Sequence, residues 1–167
     1  MTGVQTCALP ILNLDISPFQ RYCTPPLHVH LNQIEKFTLI QGQLGYQFGD
    51  EIHSCNVQTC PRPLIIPPGV KHSFWMSDNK EDLILMVQLE PIDSYYGVRR
   101  AFFENFGGVV RDRRDDIFQI FVIFDQAQVY PAVMPIPLAR IVFKLGAFIG
   151  RILGYQSEYE EYTTSNN

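Results

Sequence analysis

Between residues 27 and 89 the chain never runs far without a turn signal. Its apolar stretches are short: Leu27 to Leu31, Glu35 to Gln41, Gln43 to Phe48, Leu64 to Ile66, His72 to Met76 and Leu83 to Leu89. Each is rich in β-branched or aromatic residues and is bounded by Gly, Pro, Asn or Asp. Runs of this length with this punctuation are strands, and a succession of them predicts an all-β sandwich or barrel. Gly49-Asp50 reads as a hairpin turn within it. With 167 residues, of which 46% are hydrophobic, the chain can bury roughly 70% of its unfolded surface, so its core does not depend on disulfides.

The pattern changes near Pro91. Longer apolar periods, interrupted at Gly107-Gly108 and by Pro131, Pro135 and Pro137, predict helices over about Tyr95 to Phe106, Asp115 to Val129 and Pro137 to Leu153. Pro137 suits a first helical turn, where its missing N–H has no partner to lose. Residues 98–155 carry eight basic and five acidic side chains, whereas residues 156–167 carry three acidic and no basic ones. That last stretch reads as an acidic flexible tail. At the other end, Thr2 to Ile11 (TGVQTCALPI) resembles a translated sequencing-library adapter, so residues 1–11 are read as an artefact or as disordered. The expected organisation is a barrel over residues 12–92 and a helical extension over residues 93–155 that packs on the barrel or on a partner.

A formal net charge of −4 and a pI near 5.5 exclude the concentrated basic face that general nucleic-acid binding needs, and point to a small-molecule partner. No phosphate-binding glycine loop, nucleophile elbow or dinucleotide fingerprint is present. The four cysteines, Cys7, Cys23, Cys55 and Cys60, form no C-x-x-C pair. They read as free thiols, which places the chain in the reducing cytoplasm. After Pro137 the longest uncharged stretch is Leu145 to Gly150, far short of the ~20 apolar residues of a membrane span. Arg140, Lys144 and Arg151 fall within ~40° of one another on that helix, which suits either burial against the barrel or a second subunit, or peripheral contact with a membrane.

The histidines concentrate the chemistry. Three of the four fall in one pattern with a carboxylate: His28-Val29-His30, Glu35 five positions later, and His72 after Pro67-Pro68-Gly69. Side chains two apart on a strand share a face, with their Cα atoms ~6.6 Å apart, so His28 and His30 can converge on one point. A turn over Asn32 to Ile34 would return Glu35 on the neighbouring antiparallel strand, and His72 would arrive from a distant one.

The sequence His28-x-His30-x4-Glu35-x6-Gly42, followed by Pro67-Pro68-Gly69-x-x-His72, resembles the two signature motifs of the cupin superfamily, in its small single-domain branch, over about residues 20–90. The resemblance implies a double-stranded β-helix, or jelly-roll, barrel, opened by a strand around Ile16 to Cys23 or upstream of it, whose metal ligands are His28, His30, Glu35 and His72. Two positions depart from the second motif. Pro61 stands where its glycine is expected and Met76 where its asparagine is expected, and neither is a ligand position.

Imidazole and carboxylate donors together suit one divalent ion, Fe, Mn, Ni, Zn or Cu. The first functional reading is therefore a metal-dependent cupin enzyme acting on a small organic molecule, oxygenase-like or otherwise an isomerase or lyase, with Glu35 also serving in catalysis. A non-catalytic metal- or ligand-binding module and a membrane-peripheral or interaction protein are the alternatives, and the resemblance suggests a homodimer. Gln41 and Tyr46 are candidate substrate contacts. Gln33 is a candidate extra ligand that more simply belongs to the turn, and His53 reads as a solvated surface histidine.

Overall fold

The computed structural model describes residues 2–7 along the backbone, and residues 25–78, 81–91 and 96–163. The expected opening strand around Ile16 to Cys23 lies outside the described residues. The elements are β1 (Thr2–Cys7), β2 (His28–His30), β3 (Ile34–Gln41), β4 (Gln43–Phe48), β5 (Glu51–Asn56), β6 (Leu64–Ile66), β7 (His72–Met76), β8 (Leu83–Glu90), α1 (Arg100–Arg111), α2 (Ile117–Ala127), β9 (Val129–Pro131) and α3 (Ile136–Ile152). All six strands expected from the apolar runs are present, each within one residue of its expected ends. Residues Thr2–Cys7, expected to be foreign or disordered, pair with β8 as an antiparallel strand.

The strands form two antiparallel sheets, ordered β1-β8-β3-β6 and β5-β4-β7-β2-β9. Along β3 burial alternates, so that Glu35, Phe37 and Leu39 point inward while Lys36 and Thr38 point away, the period-two signature of a strand with one covered face. Phe37, Leu39, Ile66, Leu83 and Leu85 from the first sheet meet Leu44 and Phe74 from the second in one apolar core. This is a mainly-β architecture of two facing antiparallel sheets with a C-terminal helical segment. Gly42 joins β3 to β4 at φ +87°, where a Cβ would lie 2.8 Å from the Asp82 carbonyl oxygen. Only glycine fits there.

β5 escaped the sequence reading because its six residues are mostly polar and exposed, with Cys55 alone buried, as suits a sheet edge. The cysteine reading needs correction. Cys55 and Cys60 are joined in a disulfide, and no free cysteine remains among the described residues. The cause is local: the Asn56 side chain accepts from the Gln58 and Thr59 N–H groups, at 3.0 and 3.1 Å. That turn brings the two Cα atoms to 5.1 Å, inside the bridging range. The inference of a reducing compartment thereby loses its premise.

The helical segment is built into the second sheet. α2 starts where Asp116 caps the Phe118 and Gln119 N–H groups, and it ends at Ala127 because Gln128 turns left-handed at φ 52°. The chain, expected to remain helical through Val129, instead becomes β9 and pairs with β2 along its whole length. Tyr130 and Val29, both fully buried, meet Ala139 and Phe143 of α3 there. Gly107-Gly108, expected to break a helix, lie inside α1. A Cβ on Gly108 would reach the Tyr162 ring at 2.5 Å, so the glycine admits that ring. The segment expected to be a flexible acidic tail is strapped down as far as residue 163. The Tyr159 N–H donates to Asn105 Oδ1, the Tyr159 hydroxyl to Gln119 Oε1, and Glu158 and Glu161 pair with Arg99 and Arg114. Its carboxylates find cations on either side of α1 that sequence alone could not locate. No helix among the described residues is long and apolar enough to cross a membrane.

Candidate metal centre

β2 turns both of its histidines to the inside. On one side it is hydrogen-bonded to β7, with His28 directly opposite His72, so two donors in one sheet come from adjacent strands. Glu35 comes from the facing sheet, because β3 pairs with β6 and β8 and not with β2. This reverses the sequence expectation. The short segment after His30 crosses between sheets instead of making a hairpin, and the ligand most distant in sequence sits on the neighbouring strand.

The four side chains meet. One donor atom from each of His28, His30, Glu35 and His72 lies within 4.8 Å of all the others, and all four residues are buried. His28 Nε2 is 3.2 Å from His30 Nε2. Glu35 Oε2 lies 2.6 Å from His72 Nε2 and 3.4 Å from His30 Nε2.

The outer nitrogens decide the tautomers. His28 Nδ1 lies 2.8 Å from the Pro26 carbonyl oxygen, and His72 Nδ1 lies 2.9 Å from that of Val70. A carbonyl can only accept, so both Nδ1 atoms carry the proton; the His28 ring turns its Nε2 lone pair to the centre, and the His72 Nε2 faces the Glu35 carboxylate. Metal-binding histidines are oriented in this way. Both partners stand two residues before their histidine, Pro26 as the second proline of Pro25-Pro26 and Val70 two residues after Pro68, a signal the sequence reading passed over. His30 Nδ1 is buried with no partner among the described residues.

Electrostatics follow the same arrangement. Burial disfavours a charge on His28, and His72 and His30 add to that, so its pKa falls to about 4. Burial works against the Glu35 carboxylate too, but hydrogen bonds and charge from His30 and His72 outweigh it and hold its pKa at about 2. At neutral pH His28 is uncharged and Glu35 ionised. Three imidazoles and one carboxylate, buried together with two rings pre-oriented, fit a divalent cation and could bind one.

The surroundings are apolar. Phe37 packs edge-on to His72 and to Phe74, Ile66 pairs across from Glu35, and Phe48 pairs across from His72. Tyr46 lies one inward position beyond Phe48, opposite Phe74 and stacked on His53 at 5.0 Å. His53 is partly exposed beside Glu51. Gln41 sits at the far end of β3 and donates to the Asp82 carbonyl. It is six residues, or roughly 20 Å, along the strand from Glu35. Gln33 is no ligand: its carboxamide donates to the Pro91 and Val98 carbonyls and accepts from the Val98 N–H.

No family model matches the sequence. The probable oxidoreductase virH of Hypocrea virens is 31% identical over 150 residues, covering 83% of this chain and 67% of that protein. The chain belongs to its family. Oxidoreductase OpS7 of Beauveria bassiana is 29% identical, over 86% of this chain and 58% of its own length. The chain therefore spans about two thirds or less of these curated relatives. A cupin-2 domain containing protein from Shewanella frigidimarina is 24% identical, with a TM-score of 0.31 over 41% of this chain and 64% of its own.

Proposed function

We propose that His28, His30, Glu35 and His72 hold one divalent metal ion and that the chain uses it in oxygenase-type oxidation of a small organic molecule. The observation that carries this reading is the convergence of the four donor atoms with the Nδ1 protons of His28 and His72 already given to carbonyls. Relatives named oxidoreductases favour redox chemistry over isomerase or lyase chemistry. A bound redox-active ion supplies open coordination positions for oxygen or a substrate oxygen.

The protein's own residues set the conditions. Phe37, Phe74, Ile66 and Phe48 pack an apolar interior beside the four ligands that excludes water. Among the described residues of the barrel, the other buried polar side chains are Gln33 and Ser73, and both already serve backbone carbonyls. Glu35 is thus the carboxylate of the interior that would accept a proton from a bound molecule. That scarcity of other reactive groups also favours the second reading, a metal-binding cupin module without turnover.

The test is elemental analysis of the protein purified without chelator, then anaerobic loading with Fe(II) and oxygen uptake over a panel of small organic substrates. Stoichiometric metal, lost when His28 and His30 are both changed to Ala, with substrate-dependent oxygen uptake, supports the enzyme. Retained metal in the double variant overturns the site. Metal and tight ligand binding with no uptake overturn turnover and leave the binding module.

A further inference from the structure

α3 has two apolar faces, and the fold uses only one. Its inner face, with Ala139, Phe143 and Ala147 buried, packs on α2 and β9. On the outer face Leu138, Ile141, Leu145, Phe148, Ile149 and Ile152 remain between 44% and 70% exposed. At 100° per residue these six fall within an arc of about 100°. A continuous stripe of this kind on a soluble surface marks a contact surface, whereas scattered exposed side chains would not. Arg140, Lys144 and Arg151 run along one edge of the stripe, about 40° from it. The helix carries no acidic residue, and among the described residues neither Arg140 nor Lys144 forms an ion pair.

We propose that the outer face of α3 docks onto an anionic lipid bilayer, lying in the interface with its apolar stripe among the acyl chains and its cations at the headgroups. The charge pattern selects this occupant. A second copy docked on the stripe with its helix antiparallel would bring Arg140 and Lys144 of each helix toward the like-charged edge of the other, with no carboxylate on either helix to answer them; Arg151 is already paired with Asp125. A bilayer rich in anionic lipid answers both Arg140 and Lys144. The chain that follows α3 does not cover the stripe either. It turns at Gly154 (φ +93°) and is tied to α1 and α2 through Tyr159, Asn105 and Gln119. This docking is independent of the metal centre.

The test is flotation of the full chain with vesicles of phosphatidylcholine alone or of phosphatidylcholine with phosphatidylserine, at low and raised salt. Binding to the anionic vesicles that weakens with salt is expected. Arg140→Gln with Lys144→Gln should reduce it roughly 30-fold, and Leu145→Ser with Phe148→Ser should abolish it. Both pairs are exposed, and an unchanged circular dichroism spectrum and metal content confirm that the variants are folded. In Phe148→Trp, the added indole emission should shift to the blue with anionic vesicles only. Absence of flotation by the folded chain overturns the proposal. So does light scattering that shows a dimer which Leu145→Ser with Phe148→Ser converts to a monomer while vesicle binding is unaltered or absent.

Discussion

Gln33 and Val98 hydrogen-bond to each other in both directions: the side-chain amide donates to the Val98 carbonyl at 3.0 Å, and the Val98 N–H donates back to Oε1 at 2.6 Å. A second bond from the same amide reaches the Pro91 carbonyl. One fully buried carboxamide, two residues before Glu35, thus joins the crossing between the two sheets to the start of the helical segment. Removing it strands the Val98 N–H and two carbonyls in a dry site, where each unsatisfied group costs about 1–3 kcal/mol. Gln33→Ala should therefore destabilise the protein by about 3 kcal/mol in urea or thermal unfolding. A loss under 1 kcal/mol would show that water takes over those bonds.

Tyr130 holds the outside of the strand whose inside carries His28 and His30. Its ring is fully buried against Phe143, at 5.4 Å between centroids, and its hydroxyl contacts Asp125 at 3.4 Å. Tyr130→Ala should cost about 3–5 kcal/mol by opening a cavity, whereas Tyr130→Phe should cost about 1 kcal/mol. If β9 and α3 brace the centre, Tyr130→Ala will also weaken metal binding, measured by competition with a chromophoric chelator, and Tyr130→Phe will not.

The metal-free protein should lose stability steadily in acid. His28 has a folded pKa of about 4 against 6.5 in a free chain, so below pH 6.5 the unfolded state takes up the proton first and stability falls until about pH 4. Glu35 has a folded pKa of about 2 against 4.5, so its contribution is complete above pH 4.5 and disappears as the pH drops through 2. Unfolding midpoints measured from pH 7.5 to 3 should decline throughout. In Glu35→Gln the decline below pH 4.5 should flatten while the part above pH 4.5 survives.

Metal should stabilise the fold by mass action, because the four donors come together only in the native chain. Adding a chelator should lower Tm, and re-adding the divalent ion should restore it. His28→Ala with His30→Ala should be insensitive to both treatments.

The disulfide between Cys55 and Cys60 closes a very short loop. Chain-entropy reasoning gives such a loop roughly 2 kcal/mol, so Cys55→Ala with Cys60→Ala should lower stability by about that amount without loss of metal. Peptide mapping of the unreduced protein should recover residues 55 and 60 cross-linked. Recovery of both as free thiols would contradict the bridge.

Much of this protein could be read in one dimension. The strands of the barrel declared themselves because inward and outward side chains alternate with a period of two, a local rule that needs no knowledge of neighbours. The grouping of His28, His30, Glu35 and His72 was visible for a related reason: two histidines one residue apart on a strand share a face, and Gly42 and the Pro67-Pro68-Gly69 turn mark where the chain changes direction. Elements whose stability comes from elsewhere left little trace. β5 and β9 are short or polar and exist because a neighbouring strand needed hydrogen bonds. The strap over residues 155–163 is anchored by partners some 40 to 60 positions away in sequence. Which sheet carries Glu35, which carbonyls hold the histidine protons, and where the Gln33 amide goes all depend on how two sheets and three helices close on one another. The alternation of side chains along a strand is written locally, whereas pairing across sheets is a relation between distant segments that exists only after the chain has folded.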